Sequence, residues 1–284
     1  MLTREKLCQN EKGLELSSVE WLVDHHKTKE TERNKMVDDM PLQEGDVVLD
    51  LACGPGLWTS LLAEKVGPEG EVVGVDFSTD LIEYARGELK TKREQIQDVV
   101  RFKEGDLYNI PFENDIFDLV LCGNTFAYIT KPFKALEEQK RVTRRGGRVV
   151  AKDFDNGIII LHPIKPSFSQ KVMAAAAHSL EENPPEPRFD NYIGRKIRGL
   201  FLEAGFKHVS NKSYAVRKFS PLSREAKRYI RGTAEWYARI AKPYLSQDEL
   251  QKWREYFDPN SDHYILDKEE FYLCMVEMLT VGMV

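Results

Sequence analysis

The chain has little cysteine and spreads it thinly. Cys8, Cys53, Cys122 and Cys274 are scattered over 284 residues and form no C-x-x-C pair. That argues against a disulfide framework and predicts reduced, mostly packed thiols in a cytoplasmic protein. No apolar run is long enough to span a bilayer, so no membrane partner is expected. The start, Met1-Leu2-Thr3-Arg4-Glu5-Lys6, lacks an apolar signal core. Positive charge is not in excess either. Lys and Arg number 41 against 46 Asp and Glu, a net charge of −5, which disfavours a nucleic-acid partner. There is no internal repeat and no low-complexity tract. What remains is 42% hydrophobic and 31% charged, the make-up of an ordinary globular protein. The length suits one large domain with insertions.

One segment stands out from this background. Val47-Val48-Leu49-Asp50-Leu51 is apolar and β-branched, as a central parallel strand requires. It runs into Ala52-Cys53-Gly54-Pro55-Gly56, where Gly54 and Gly56 permit a tight turn close to a ligand. Leu57, Leu61, Leu62 and Val66 then recur at helical spacing. A second apolar strand, Glu71-Val72-Val73-Gly74-Val75, ends in Asp76. A carboxylate there can accept hydrogen bonds from both ribose hydroxyls of a nucleoside. Together these features outline a nucleoside pocket at the carboxyl edge of a parallel sheet. The dinucleotide fingerprint G-x-G-x-x-G is incomplete, because Thr59 stands where its third glycine belongs.

The segment instead resembles motif I of the class I S-adenosylmethionine-dependent methyltransferases, an acidic residue followed by x-G-x-G-x-G. Asp50, Gly54 and Gly56 fill three of its positions, and Ala52 replaces the first glycine. Later stretches match in order. Val99-Val100-Arg101-Phe102 reads as a third strand, followed by Glu104-Gly105-Asp106-Leu107. The resemblance implies that Asp106 receives the adenine amino group and that the Leu107 N–H reaches a ring nitrogen. It extends the cofactor contacts to Phe77 and Asn124. Pro111-Phe112 with Phe117-Asp118-Leu119-Val120 resembles the ubiquinone/menaquinone-biosynthesis-type branch of the family. Arg145-Gly146-Gly147-Arg148-Val149-Val150 resembles that branch's turn into the fifth strand. The likeness covers roughly residues 41 to 156. It implies S-adenosylmethionine as cofactor and says little about the methyl acceptor.

The fold class implied is α/β: a Rossmann-like, doubly wound, mostly parallel seven-stranded sheet with an antiparallel last strand. Helical insertions would form a lid. The domain reading is an N-terminal helical lid over 1–40, polar and partly mobile, then a cofactor-binding core over 41–156. An acceptor-side insertion follows over 157–193. It opens on Gly157-Ile158-Ile159-Ile160-Leu161, holds a helix from Met173 to Leu180 and stops at Asn183-Pro184-Pro185-Glu186-Pro187. Residues 194–284 complete the sheet. They hold a glycine-capped helix from Gly194 to Phe206, strand six over His208–Lys218, a helical insertion at about 221–257 and a last strand over Glu270–Val281. In the implied topology all three extra segments reach the carboxyl edge, where ligands of open α/β sheets bind. Either insertion also suits a homodimer contact.

Methyl transfer is an in-line displacement in which alignment and desolvation supply much of the rate. A base is needed only for an acceptor protonated at working pH. The candidates are Asp153 at the end of strand five, His162, His25 and His26. Trp21, Leu22, His25, His26 and Lys29 share the spacing of one helix. Arg33 could pair with the cofactor's carboxylate, but it reads first as a solvated helix residue. Cys53 reads as a small fitting residue rather than a nucleophile. Asp155-Asn156 is similar to the magnesium-binding pair of catechol-type methyltransferases. Strand four, however, ends in Gly123-Asn124 without a carboxylate, so no metal is expected. The expected partner is a small-molecule acceptor. The alternatives are a protein or tRNA methyltransferase, or a non-catalytic cofactor-binding regulatory subunit. Asn124-Thr125-Phe126-Ala127-Tyr128 is not the Asn-Pro-Pro-Tyr motif of base-amine and glutamine-amide methylation.

Overall fold

A computed structural model describes residues 7–9, 15–184 and 189–284, with side chains from Ser18 onward. Cys8 and the part of the proline-rich stop over 185–188 lie outside the described side chains. Seven strands form the main sheet: β1 Val47–Leu51, β2 Glu71–Asp76, β3 Val100–Glu104, β4 Phe117–Gly123, β5 Thr143–His162, β6 Lys207–Phe219 and β7 Tyr272–Met283. Their spatial order is β3-β2-β1-β4-β5-β7-β6. Neighbours from β3 to β5 run parallel, and β7 is antiparallel to both β5 and β6. Four of the five residues of β1 are buried, because helices cover both faces of the sheet. The α/β fold expected from the sequence is therefore the observed one.

Ten helices accompany the strands among the described residues. They are α1 Val19–Thr28, α2 Glu30–Asp39, α3 Leu57–Val66, α4 Thr79–Leu89, α5 Glu94–Val99, α6 Pro132–Val142, α7 Pro166–Glu182, α8 Gly194–Glu203, α9 Arg224–Ala241 and α10 Gln247–Glu255. Residues of α2, α3 and α5 share one core with β1, β2 and β4. Residues of α6 and α8 form a second core with strands of the same sheet. A third core joins α7, α9 and α10 to Leu161, Val216, Leu273 and Met275.

That third core explains two departures from the sequence reading. Gly157–Leu161 is not the start of an insertion. After a bulge between Asp155 and Ile159, β5 continues to pair with β7 as far as His162 with Tyr272. Gly157 reads in sequence as the opening of an insertion, yet a bulge absorbs it while the ladder continues. The N-terminal region is also two helices, not one, and it is not loosely attached. Met36, Val37 and Met40 are buried in the sheet core, and the Tyr214 hydroxyl donates to Asp39 Oδ2 at 2.8 Å. Ser18 caps α1 by accepting from the Trp21 N–H at 3.2 Å. Asp24 then takes both arms of Arg228 on α9, at 2.6 and 2.5 Å.

Candidate active site

The glycine loop leaves β1 through three left-handed residues: Ala52 at φ 58°, Gly54 at 55° and Gly56 at 74°. Gly56 is irreplaceable on space as well, since a Cβ there would lie 2.7 Å from Phe102 Cζ. The Gly54 N–H donates to Asp76 Oδ2 at 2.8 Å, and the Ser78 N–H donates to Oδ1 at 2.9 Å. Each Asp76 oxygen keeps further acceptor capacity. Burial raises its pKa against these two bonds. Asp50 is deeper still and accepts from the Thr59 hydroxyl at 2.6 Å. Burial pushes its carboxyl up to about 7. Thr59 thus has a use where the dinucleotide fingerprint wants glycine: it satisfies the motif's buried acid. Phe77, beside Asp76, exposes 37% of its surface. Asp106 Oδ1 accepts from the Tyr108 N–H at 2.8 Å, and Leu107 is half-buried.

Next to this loop lies a buried polar corner. Lys29 Nζ and Lys152 Nζ grip opposite oxygens of Glu277, at 2.5 and 2.6 Å. Lys29 is 1% exposed, and Lys152 and Glu277 are fully buried. Lys152 also donates to Asn124 Oδ1 at 2.9 Å, and Arg33 Nη2 reaches the same oxygen at 3.4 Å. Arg33 meets His26 Nδ1 through Nη1 and His25 Nδ1 through Nη2, and it lies 5.0 Å from the Trp58 ring centre. His25 stacks between Trp21 and Tyr229, at 5.0 and 5.1 Å. Lys29 Nζ sits 5.1 Å from the Tyr229 ring centre. Arg33 Nε and Asn124 Nδ2 are buried donors with no partner among the described residues.

Burial sets the charges here. It lowers Arg33 to about 10, with no carboxylate in contact to reverse it. It lowers His26 to about 2, with Arg33 adding to the effect, and takes His25 well below its usual range, with Lys29 adding. Both rings are neutral. Burial would raise Glu277, but Lys152 and Lys29 override it and hold the carboxylate ionised. Lys152 falls to about 7 through burial, against the pull of Glu277.

The structure brings together the loop residues, Asn124, His25 and His26, and it adds Arg33, which is 3% exposed rather than solvated. His162 is not among them. It is exposed at the far end of the lengthened β5, where its partner Tyr272 lies seven residues from Leu279, the partner of Lys152, and thus roughly 23 Å along the sheet. Asp153 is fully buried rather than facing a cleft. Its oxygens accept from the Ala127 and Phe154 N–H groups at 3.3 and 3.0 Å, and burial raises it to about 7. Asp155 is held by both arms of Arg195, and Asn156 by Asn191. Sequence reasoning passed over Lys152 and Glu277. Lys152 directly after the apolar run Val149–Ala151, and Glu277 alone inside Met275–Leu279, were the available signals.

A family model described as "Methyltransferase domain" matches residues 42–256. The demethylmenaquinone methyltransferase of Geobacillus sp. (strain WCH70) is 32% identical over 192 residues, which is 64% of this chain and 80% of that protein. That of Staphylococcus aureus (strain JH9) is 31% identical over 195 residues, 64% of this chain and 76% of its own. The YcgJ protein of Bacillus subtilis superposes over 89% of this chain and 98% of its own, at TM-score 0.54 and 16% identity. A putative methyltransferase bound to the Haloferax volcanii Trm112 activator covers 92% and 91%, at TM-score 0.53 and 20% identity. These two are likenesses of fold.

Proposed function

Because the chain belongs to the methyltransferase-domain family and uses S-adenosylmethionine, we propose that it methylates a small organic molecule held beneath α1 and α9. The supporting observation is that the corner beside the cofactor loop is closed. Lys29, Arg33, Lys152 and Glu277 are all buried, so this corner presents no open charged groove for a protein or RNA strand.

The residues fit the cofactor. Nothing stands closer than 3.9 Å to a Cβ built at Gly54, so the loop leaves room above it. Asp76 would hold the ribose with its remaining lone pairs, Phe77 would cover the adenine, and Asp106 with the Leu107 N–H would bind the adenine edge. When bound, S-adenosylmethionine supplies a methyl group on a sulfonium, an electrophile open to in-line displacement. The chain's own part is to align the acceptor and keep water out. Asp153 pins the turn Phe126–Tyr128 instead of serving as a base. His25 and His26 are too weakly basic to draw a proton at neutral pH.

The test is turnover of the isolated chain with labelled S-adenosylmethionine against small aromatic and aliphatic acceptors, bulk tRNA and bulk protein. Labelling of small acceptors is expected. Labelling of tRNA or protein alone would contradict the proposal. No labelling of anything, despite cofactor binding, would favour a regulatory subunit.

A further inference from the structure

Among the described residues, three basic side chains meet one carboxylate in the buried corner. Glu277 is shared by Lys29 and Lys152, and Arg33 touches only imidazole nitrogens and an amide oxygen. Two other buried carboxylates, Asp153 and Asp24, are already held. Asp153 follows Lys152 on the strand and so points to the opposite face, where two amides hold it. Asp24 is paired with Arg228. Burying uncompensated charge is costly, and a bound counter-ion removes that cost. The cofactor carries one carboxylate but also an ammonium and a sulfonium, so its binding adds net positive charge to the region. Arg33 Nε and Asn124 Nδ2, both buried and unpartnered among the described residues, are two donors set for an anionic oxygen.

The surroundings of this charge are aromatic. Trp58 lies under Arg33. Trp21, His25 and Tyr229 form a stacked wall beside Lys29. Tyr229 also lines a small apolar cleft with Ile159, Leu161, Met173, Tyr237 and Met275. None of His25, His26, Asp153 and His162 is placed as a competent base, which suits a nucleophile that enters already ionised.

Resting on the methyltransferase reading, we infer that the methyl acceptor is an aromatic anion whose charged oxygen is received by Lys152, Arg33 and Asn124 and whose ring packs toward Tyr229. A neutral acceptor of the same shape leaves the cations uncompensated and is rejected.

Benzoate and its neutral isostere benzamide are suitable probes. Each is titrated calorimetrically into the full chain saturated with S-adenosylhomocysteine, which fills the cofactor's own carboxylate position. Benzoate should bind at least tenfold more tightly than benzamide. In Lys152→Met that preference should shrink at least fivefold while S-adenosylhomocysteine affinity changes little, and Lys152→Arg should keep it. Benzoate binding that appears only without S-adenosylhomocysteine and competes with it would mean that the corner serves the cofactor alone, and the inference is wrong. Equal affinity for both probes overturns it too. The wild-type comparison stands even if the methionine variant does not fold. Failure of S-adenosylhomocysteine itself to bind would strike at the methyltransferase reading instead.

Discussion

Ala52 occupies a backbone region that L-residues enter at a cost of about 1–2 kcal/mol. Glycine removes that strain but adds entropy to the unfolded chain, about 0.4–1 kcal/mol. Ala52→Gly should therefore stabilise the fold by about 0.5–1 kcal/mol, measured as a rise in the urea midpoint at unchanged slope. Asp50 gives a pH signature. Its folded pKa is raised to about 7, above the unfolded value near 3.9. The folded state thus binds the extra proton between those limits. The contribution is full below about pH 4 and is lost as pH rises toward 7, at up to about 1.4 kcal/mol per unit. Asp50→Asn, compared with its parent across pH 4 to 7, should lose that downward slope. An identical slope would show that Asp50 is ionised throughout. The role of Asp50 was half legible: its place in the motif could be read, but its partner Thr59 could not be told from a missing glycine.

At the scale of elements, α1 carries two imidazoles that burial keeps neutral, His26 with a pKa of about 2 and His25 also lowered. In the unfolded chain each titrates near 6.5. Stability held above 6.5 is therefore lost as pH falls toward 2, at up to about 1.4 kcal/mol per unit for each ring. His26→Gln keeps an oxygen for Arg33 and should make the loss between pH 7 and 5 shallower than in the parent. An unchanged acid slope would place the His26 ring in water. The same helix is clamped to α9 by Asp24 and Arg228. Asp24→Asn weakens that clamp. It should raise hydrogen exchange over Val19–Thr28 and, if α1 covers the proposed acceptor side, lower turnover more than it lowers S-adenosylhomocysteine affinity. Strands β1, β2 and β4 were readable nearly to the residue, since buried parallel strands are continuous apolar runs. The end of β5 was not. Its continuation depends on a ladder with β7 that forms only in the folded chain.

Over the whole molecule, the sequence order of the strands becomes the spatial order β3-β2-β1-β4-β5-β7-β6, which brings the tips of β1, β2 and β4 to one edge. That edge was legible from the loop motif and the distal Asp76. The buried corner proposed as the acceptor side was not. Lys29, Lys152 and Glu277 are far apart in sequence, and each alone reads as a surface charge. Only the antiparallel entry of β7, setting Leu279 opposite Lys152, brings them together. Among the described residues no helix is long and apolar enough to cross a membrane. The central claim is that the loop from Ala52 to Gly56 and Asp76 hold S-adenosylmethionine. Calorimetric titration with S-adenosylhomocysteine, for the wild type and a folded Asp76→Ala variant, tests it most directly. The account predicts wild-type binding, no binding of NAD, and a loss of about 1–3 kcal/mol in the variant as two ribose hydroxyls lose a charged acceptor. Unchanged affinity in Asp76→Ala, or binding of NAD in place of S-adenosylhomocysteine, would contradict it.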